Sequence, residues 1–145
     1  MYSRILVATD GSDIADQAVQ HAVTLAKSLS AKLTVVTVTE PYEAVAFTDN
    51  MAVINPSDYQ ASCEAHANNI LAKATQHAEA AGLECETLHQ DSHWPYAGVI
   101  DAAEKSDADL IVVGSHGRRG LEGLLLGSQA AKLLTHCKTP TLVVR

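Results

Sequence analysis

The chain has 145 residues, 47% hydrophobic and 19% charged, which is globular composition with enough length to bury a core without disulfides or a structural metal. Aromatic residues are only 4%, so that core must be built from Val, Leu, Ile and Ala. Ten Lys and Arg against 17 Asp and Glu give a formal net charge of −7, which argues against nucleic-acid and anionic-membrane binding because both need clustered cations.

No apolar run approaches the ~20 residues that span a bilayer, so no membrane insertion is expected. The opening MYSRILVATDGS lacks the long apolar stretch and cleavage site of a signal peptide. Cys63, Cys85 and Cys137 are odd in number and form no CxxC, as in a reducing compartment. A cytoplasmic protein with one domain over residues 1–145 is expected.

In chain order, Arg4 to Ala8 is a short apolar run, as in a strand covered on both faces. Asp10-Gly11 breaks it, and Ser12 or Asp13 can cap a helix whose stripe is Ile14, Ala18, Ala22, Leu25 and Leu29. Ala31 to Thr39 is rich in β-branched residues and predicts a second strand, ended by Pro41. Residues 41 to 57 read as an irregular, partly apolar loop. A long helix then starts at Ser57 or Asp58, buries Tyr59, Cys63, Ala67, Ile70, Ala74 and Ala78, and stops at Gly82. Glu84 to Gln90 is a third strand, polar enough for a sheet edge. The loop Asp91 to Pro95 leads into a helix through Val99, Ile100 and Ala103, and Ala108 to Val113 is the fourth strand. A glycine-rich segment from Gly114 to Gly127 follows, then a helix over Gln129 to Leu134 and a last strand, Thr141 to Val144. Strands alternating with helices imply an α/β fold, a doubly wound parallel sheet with helices on both faces. Ligands of such sheets bind at the C-terminal strand ends, here the loops after Thr9 and Val113.

The glycine segment leaves a buried strand and enters a helix. Glycines permit positive φ and close approach, and consecutive N–H groups at a helix start attract anions. Ser115, Arg118, Arg119 and Ser128 supply polar handles for a polyphosphate. There is no Gly-Lys-Ser/Thr, so this is not a Walker A loop, and GxGxxG does not follow the first strand. Plainer readings stand beside this one. The glycines can be a simple strand-to-helix connection, Asp10 a turn former beside Gly11, and Arg118 and Arg119 solvated charges.

His89 and His93 are spaced HxxxH across a strand end, which does not put two ligands on one helical face, so no metal site is expected. Ser115 beside His116 suggests nucleophilic catalysis only weakly, because adjacent loop residues point apart and no GxSxG surrounds them.

The pattern present is GxxGx9G(S/T), carried by Gly114, Gly117, Gly127 and Ser128. It resembles the nucleotide-binding pattern of the universal stress protein family, as do ILVATDGS, ADLIVVGSHG and the ending TPTLVVR. The resemblance spans essentially the whole chain. It implies a Rossmann-like five-strand parallel sheet of order 3-2-1-4-5, ATP with Mg²⁺ as ligand, and a homodimer through the last strand, Thr141, Leu142, Val143 and Val144. By motif position it places Ala8 and Asp10 at the first strand end, Asp10 near the ribose or Mg²⁺, and Val38 by the adenine. Val113, Gly114 and Gly117 would line the nucleotide, and Gly127, Ser128 and Gln129 would meet the phosphates. The Asp91–Pro95 loop departs from the small glycine turn of many relatives, and Gly120 and Gly123 are extra in the linker. The function expected is nucleotide-dependent regulation through a protein partner, with no catalytic residue assigned. A slow ATPase and a dimeric scaffold without nucleotide are the alternatives.

Overall fold

β1 (Arg4–Ala8) is apolar on both sides because it lies between two layers of helices. Ile5 and Val7 face one layer, Leu6 the other. The computed structural model describes residues 1–46, 55–117 and 126–145. After β1 come α1 (Asp13–Leu29), β2 (Lys32–Thr39), α2 (Tyr42–Val45), α3 (Pro56–Ala80), β3 (Cys85–Asp91), α4 (Pro95–Lys105), β4 (Leu110–Gly114), α5 (Ser128–His136) and β5 (Thr141–Val144).

The five described strands form one parallel sheet of order β3-β2-β1-β4-β5, as expected. Register places Val7 beside Val35 of β2 and Val112 of β4, so like positions share a face. On that face Ile5, Val7, Val35 and Val112 pack against Ala18, Val19 and Ala22 of α1 and Leu71, Ala74 and Ala78 of α3. On the other, Leu6, Val36 and Ile111 pack against Val99, Ala102 and Ala103 of α4 and Leu133 of α5. Each buried Val, Leu or Ile contributes roughly 2 kcal/mol of transfer free energy. The polar third strand is an edge, as expected.

Helix ends follow local chemistry. Ser12 caps α1, its Oγ accepting from the Ala15 N–H at 3.3 Å. At the end of α3, Gly82 takes a φ of +73°, its N–H donating to the Glu79 carbonyl and that of Leu83 to Ala78.

Several expectations need correction. The buried stripe of α1 runs through Ile14, Ala15, Ala18, Val19, Ala22, Val23 and Ala26, whereas Leu25 is half-buried and Leu29 exposed. Ala18, Ala22 and Ala26 are wholly buried, so the small residues form the line of closest approach to the sheet. The supposed loop over 41 to 57 contains α2 and the first two residues of α3; residues 47–54 of it lie outside the described residues. Asn55 caps α3, its Oδ1 accepting from the Ser57 N–H at 2.9 Å, ahead of the expected Ser57 or Asp58. Tyr59 and Cys63 are only half-buried, and the buried face of α3 begins at Ala67.

Candidate functional site

β1 ends at the centre of the sheet, flanked by β2 and β4, and the chain leaves toward opposite faces from this point. A cavity of about 650 Å³ opens there at the C-terminal strand ends, a size suited to a small-molecule ligand. Ala8, Thr9 and Asp10 enter it from β1, Val36 to Glu40 from β2, and Val113, Gly114, His116 and Gly117 from β4. Gly127, Ser128 and Gln129 come from the start of α5.

The two ends of the glycine segment meet. The Gly127 N–H donates to the Ser115 carbonyl, and the Ser115 N–H donates to the Val144 carbonyl at 2.7 Å. A Cβ on Gly127 would sit 3.2 Å from both the Ser115 oxygen and the His116 Cα. At Gly114 it would sit 3.2 Å from Cγ2 of Ile14, and at Gly117 2.6 Å from Oδ2 of Asp10. None of these three glycines has a positive φ. Close approach, rather than left-handed backbone, therefore accounts for them, and the spacing brings Gly114, Gly117 and Gly127 to one place.

Asp10 is a turn former as well as a cavity residue. Its Oδ1 accepts from the Ser12 N–H at 3.0 Å, next to Gly11 at φ +79°. Its Oδ2 is the oxygen facing Gly117.

The helix starts differ in charge. α1 carries Asp13 and Asp16 in its first turn and is capped by Ser12. By contrast, α5 has no acidic residue in its first turn and no side-chain bond from its Gly127 cap. Its first turn therefore sets no acidic side chain of its own against its N–H groups and dipole. Ser128 is exposed at the first position of this helix. Gln129 is drawn into the scaffold, its Oε1 accepting from the Tyr96 N–H at 3.2 Å at the start of α4.

The opposite end is lined by Val38, Val45, Tyr59, Cys63, His66, Ile70 and Val99. The Tyr59 hydroxyl donates to the Glu40 carbonyl at 2.7 Å. Burial, then the hydrogen bond with Cys63 and the nearby carboxylates of Glu40 and Asp91, push the Tyr59 phenol well above its ordinary range, so it stays neutral. At the rim, the Thr39 hydroxyl donates to Oδ1 of Asp91 at 2.6 Å and lies 2.7 Å from Nε2 of His89. With that proton on the carboxylate side, His89 donates through Nε2.

Of the residues singled out in the sequence, Ala8, Asp10, Val38, Val113, Gly114, Gly117, Gly127, Ser128 and Gln129 all line this cavity. Arg118, like Arg119, lies outside the described residues. Ser115 is 3% exposed and does not line it. Its hydroxyl nevertheless meets Nδ1 of His116 at 3.2 Å, so these adjacent side chains do not point apart as expected. Sequence patterning missed Tyr59, Cys63 and His66 as lining residues, and Gly98 of α4, on which a Cβ would sit 2.7 Å from Cγ1 of Val38. An isolated glycine inside a helical pattern was the available signal for the last. Among the described residues no three His, Cys, Asp or Glu side chains gather as metal ligands, and no helix is long and apolar enough to cross a membrane.

Comparison with known proteins places the chain. The model of the universal stress protein family matches residues 1–145. A universal stress protein of Methanocaldococcus jannaschii is 32% identical over 147 residues, covering 100% of this chain and 83% of its own. Among solved structures, universal stress protein UspA from Lactobacillus plantarum matches with a TM-score of 0.84 at 25% identity, over 99% of this chain and 98% of that one. A universal stress protein crystallised in complex with cAMP matches with a TM-score of 0.72 at 32% identity, over 99% and 97% of the two chains.

Proposed function

This chain belongs to the universal stress protein family, and from that premise we propose that it is an ATP-binding regulatory protein. It would hold ATP with Mg²⁺ in the cavity at the sheet's C-terminal end. It would work in the cytoplasm as a homodimer through β5, with occupancy of the site read by a protein partner. The observation that carries the proposal is the pairing within one cavity of an anion-ready α5 start at one end and an aliphatic wall around Val38 at the other. A relative at 32% identity was crystallised with cAMP, a ligand with the same adenine, ribose and phosphate parts.

In this arrangement Val38 and its apolar neighbours cover the base, and Ala8 and Asp10 border the ribose. Val113, Gly114 and Gly117 line the nucleotide. Phosphates are met by the backbone N–H groups at Ser128 and Gln129 and by the Ser128 hydroxyl, while Gly127, its own N–H held by the Ser115 carbonyl, leaves room for them to approach. Arg118, outside the described residues, would add a cation by its place in the motif. Asp10 brings a carboxylate to the same ground, so a polyphosphate is favoured there only with a cation between. Mg²⁺ fits that need, held by the phosphates and at most one or two carboxylates.

Calorimetric titration with Mg·ATP, AMP and cAMP tests the proposal. Saturable binding of the adenine nucleotides near one per chain is expected. No binding of any of the three would overturn it.

A further inference from the structure

The cavity wall carries no side chain at the point where α4 crosses β2. Gly98 is buried there in the first turns of α4, its N–H donating to the Trp94 carbonyl at 3.1 Å. A Cβ on it would lie 2.7 and 2.9 Å from the two γ-carbons of Val38 and 3.1 Å from the Ser92 Cβ. Val38 and Ser92 line the cavity, whereas Gly98 stands behind them. Glycine inside a helix is destabilising relative to alanine, and no positive φ calls for it here, so the contact accounts for it. Neither side of the contact yields easily. Val38 is β-branched and stiff about χ1. On the other side, α4 is anchored by Val99, Ala102 and Ala103 against Leu6, Val36 and Ile111.

We propose that Gly98 is a specificity-determining position, setting how far Val38 stands back from the cavity and so fixing the width of the base subsite at that of a purine. The inference rests on the adenine-nucleotide reading above. Any side chain at 98 drives the Val38 methyls forward into the space a bicyclic base would fill, while a single-ring base still fits.

The test is a four-protein comparison of AMP and CMP affinity: the unaltered chain, Gly98→Ala, Val38→Ala and the double variant. Gly98→Ala is expected to weaken AMP by about tenfold and CMP far less, which is the scale of an overpacked contact. Val38→Ala removes the colliding methyls, so adding Gly98→Ala to it should cost no further AMP affinity. Equal weakening of AMP and CMP, or the same loss from Gly98→Ala in both backgrounds, would overturn the inference. If the unaltered chain bound neither nucleotide, the proposed function itself would fail and the specificity role with it. The crystal structure of Gly98→Ala tests the wall separately. Val38 displaced into the cavity supports the contact argument, and α4 displaced with Val38 unmoved contradicts it.

Discussion

Among the described residues the atom nearest a Cβ at Gly117 would be Oδ2 of Asp10, at 2.6 Å. Gly117 is exposed, so a larger side chain costs the fold little. Gly117→Val is expected to lower ATP affinity by at least about tenfold while the melting temperature moves by less than about 3 °C. Unchanged affinity in the folded variant would contradict the placement of the nucleotide. A second residue-scale prediction concerns Asp109, which ties β1 to the start of β4. It accepts from the Ser3 N–H and hydroxyl, both at 2.8 Å, and from the Arg4 N–H at 3.0 Å. Burial alone would raise its carboxyl, but the bonds from Ser3 and Arg4 outweigh it and hold the pKa below the ordinary value. A depressed carboxyl stabilises the fold above its unfolded pKa, near 3.9, and that contribution is lost as pH falls through the folded value. Asp109→Asn should therefore cost about 1 kcal/mol at pH 7, and the deficit should shrink below about pH 4. Urea unfolding at both pH values checks this; a deficit independent of pH would show that the charge is not involved.

At the scale of elements, what was legible was whatever depends on near neighbours in sequence. Ser12 caps α1 and Gly82 ends α3 because an acceptor side chain and a left-handed residue act locally. Gly82→Ala is expected to destabilise by about 1 kcal/mol. Among the described residues no atom beyond its chain neighbours lies within 4 Å of the added Cβ, so the cost would come from backbone strain; equilibrium unfolding measures it, and a neutral result would contradict the turn. What was not legible depends on where an element lies against its partners. α1 offers two overlapping stripes, and the sheet selects the one through Val19 and Val23, leaving Leu25 and Leu29 at the margin. α3 has 25 residues and β2 has 8, so the helix, about 37 Å long, outruns the strand, about 26 Å long. Its first two turns overhang the sheet, which is why Tyr59 and Cys63 line a cavity instead of joining the core.

At the scale of the whole molecule, the site follows from topology. The strand order puts β1 at the centre, and the loops after β1 and β4 meet where helices leave to opposite faces. The glycine spacing was readable because it encodes a contact between the two ends of the glycine segment, Ser115 with Gly127. The Gln129 side chain was not, because its partner Tyr96 lies 33 positions away. The proposed dimer belongs to this scale too. β5 is a four-residue edge strand on which Val143 packs inward toward the α4 and α5 layer, while Leu142 is 40% exposed. Leu142 also lines a shallow recess with Gln20, His21, Thr24, Leu25 and Ser28 of α1. An apolar edge of this kind invites pairing with a second chain. Leu142→Asp is expected to give a folded monomer in sedimentation, whereas Val143→Asp would strike the core as well. An intact dimer with Leu142→Asp would refute the interface.

The central claim is that the cavity at the strand ends holds an adenine nucleotide through the glycine segment. Equilibrium dialysis against Mg·ATP tests it most directly, with the bound ligand released by acid and identified by mass-resolved chromatography. An adenine nucleotide approaching one per chain is expected for the unaltered protein and little for Gly117→Val. No nucleotide on either protein, or equal amounts on both, would contradict it.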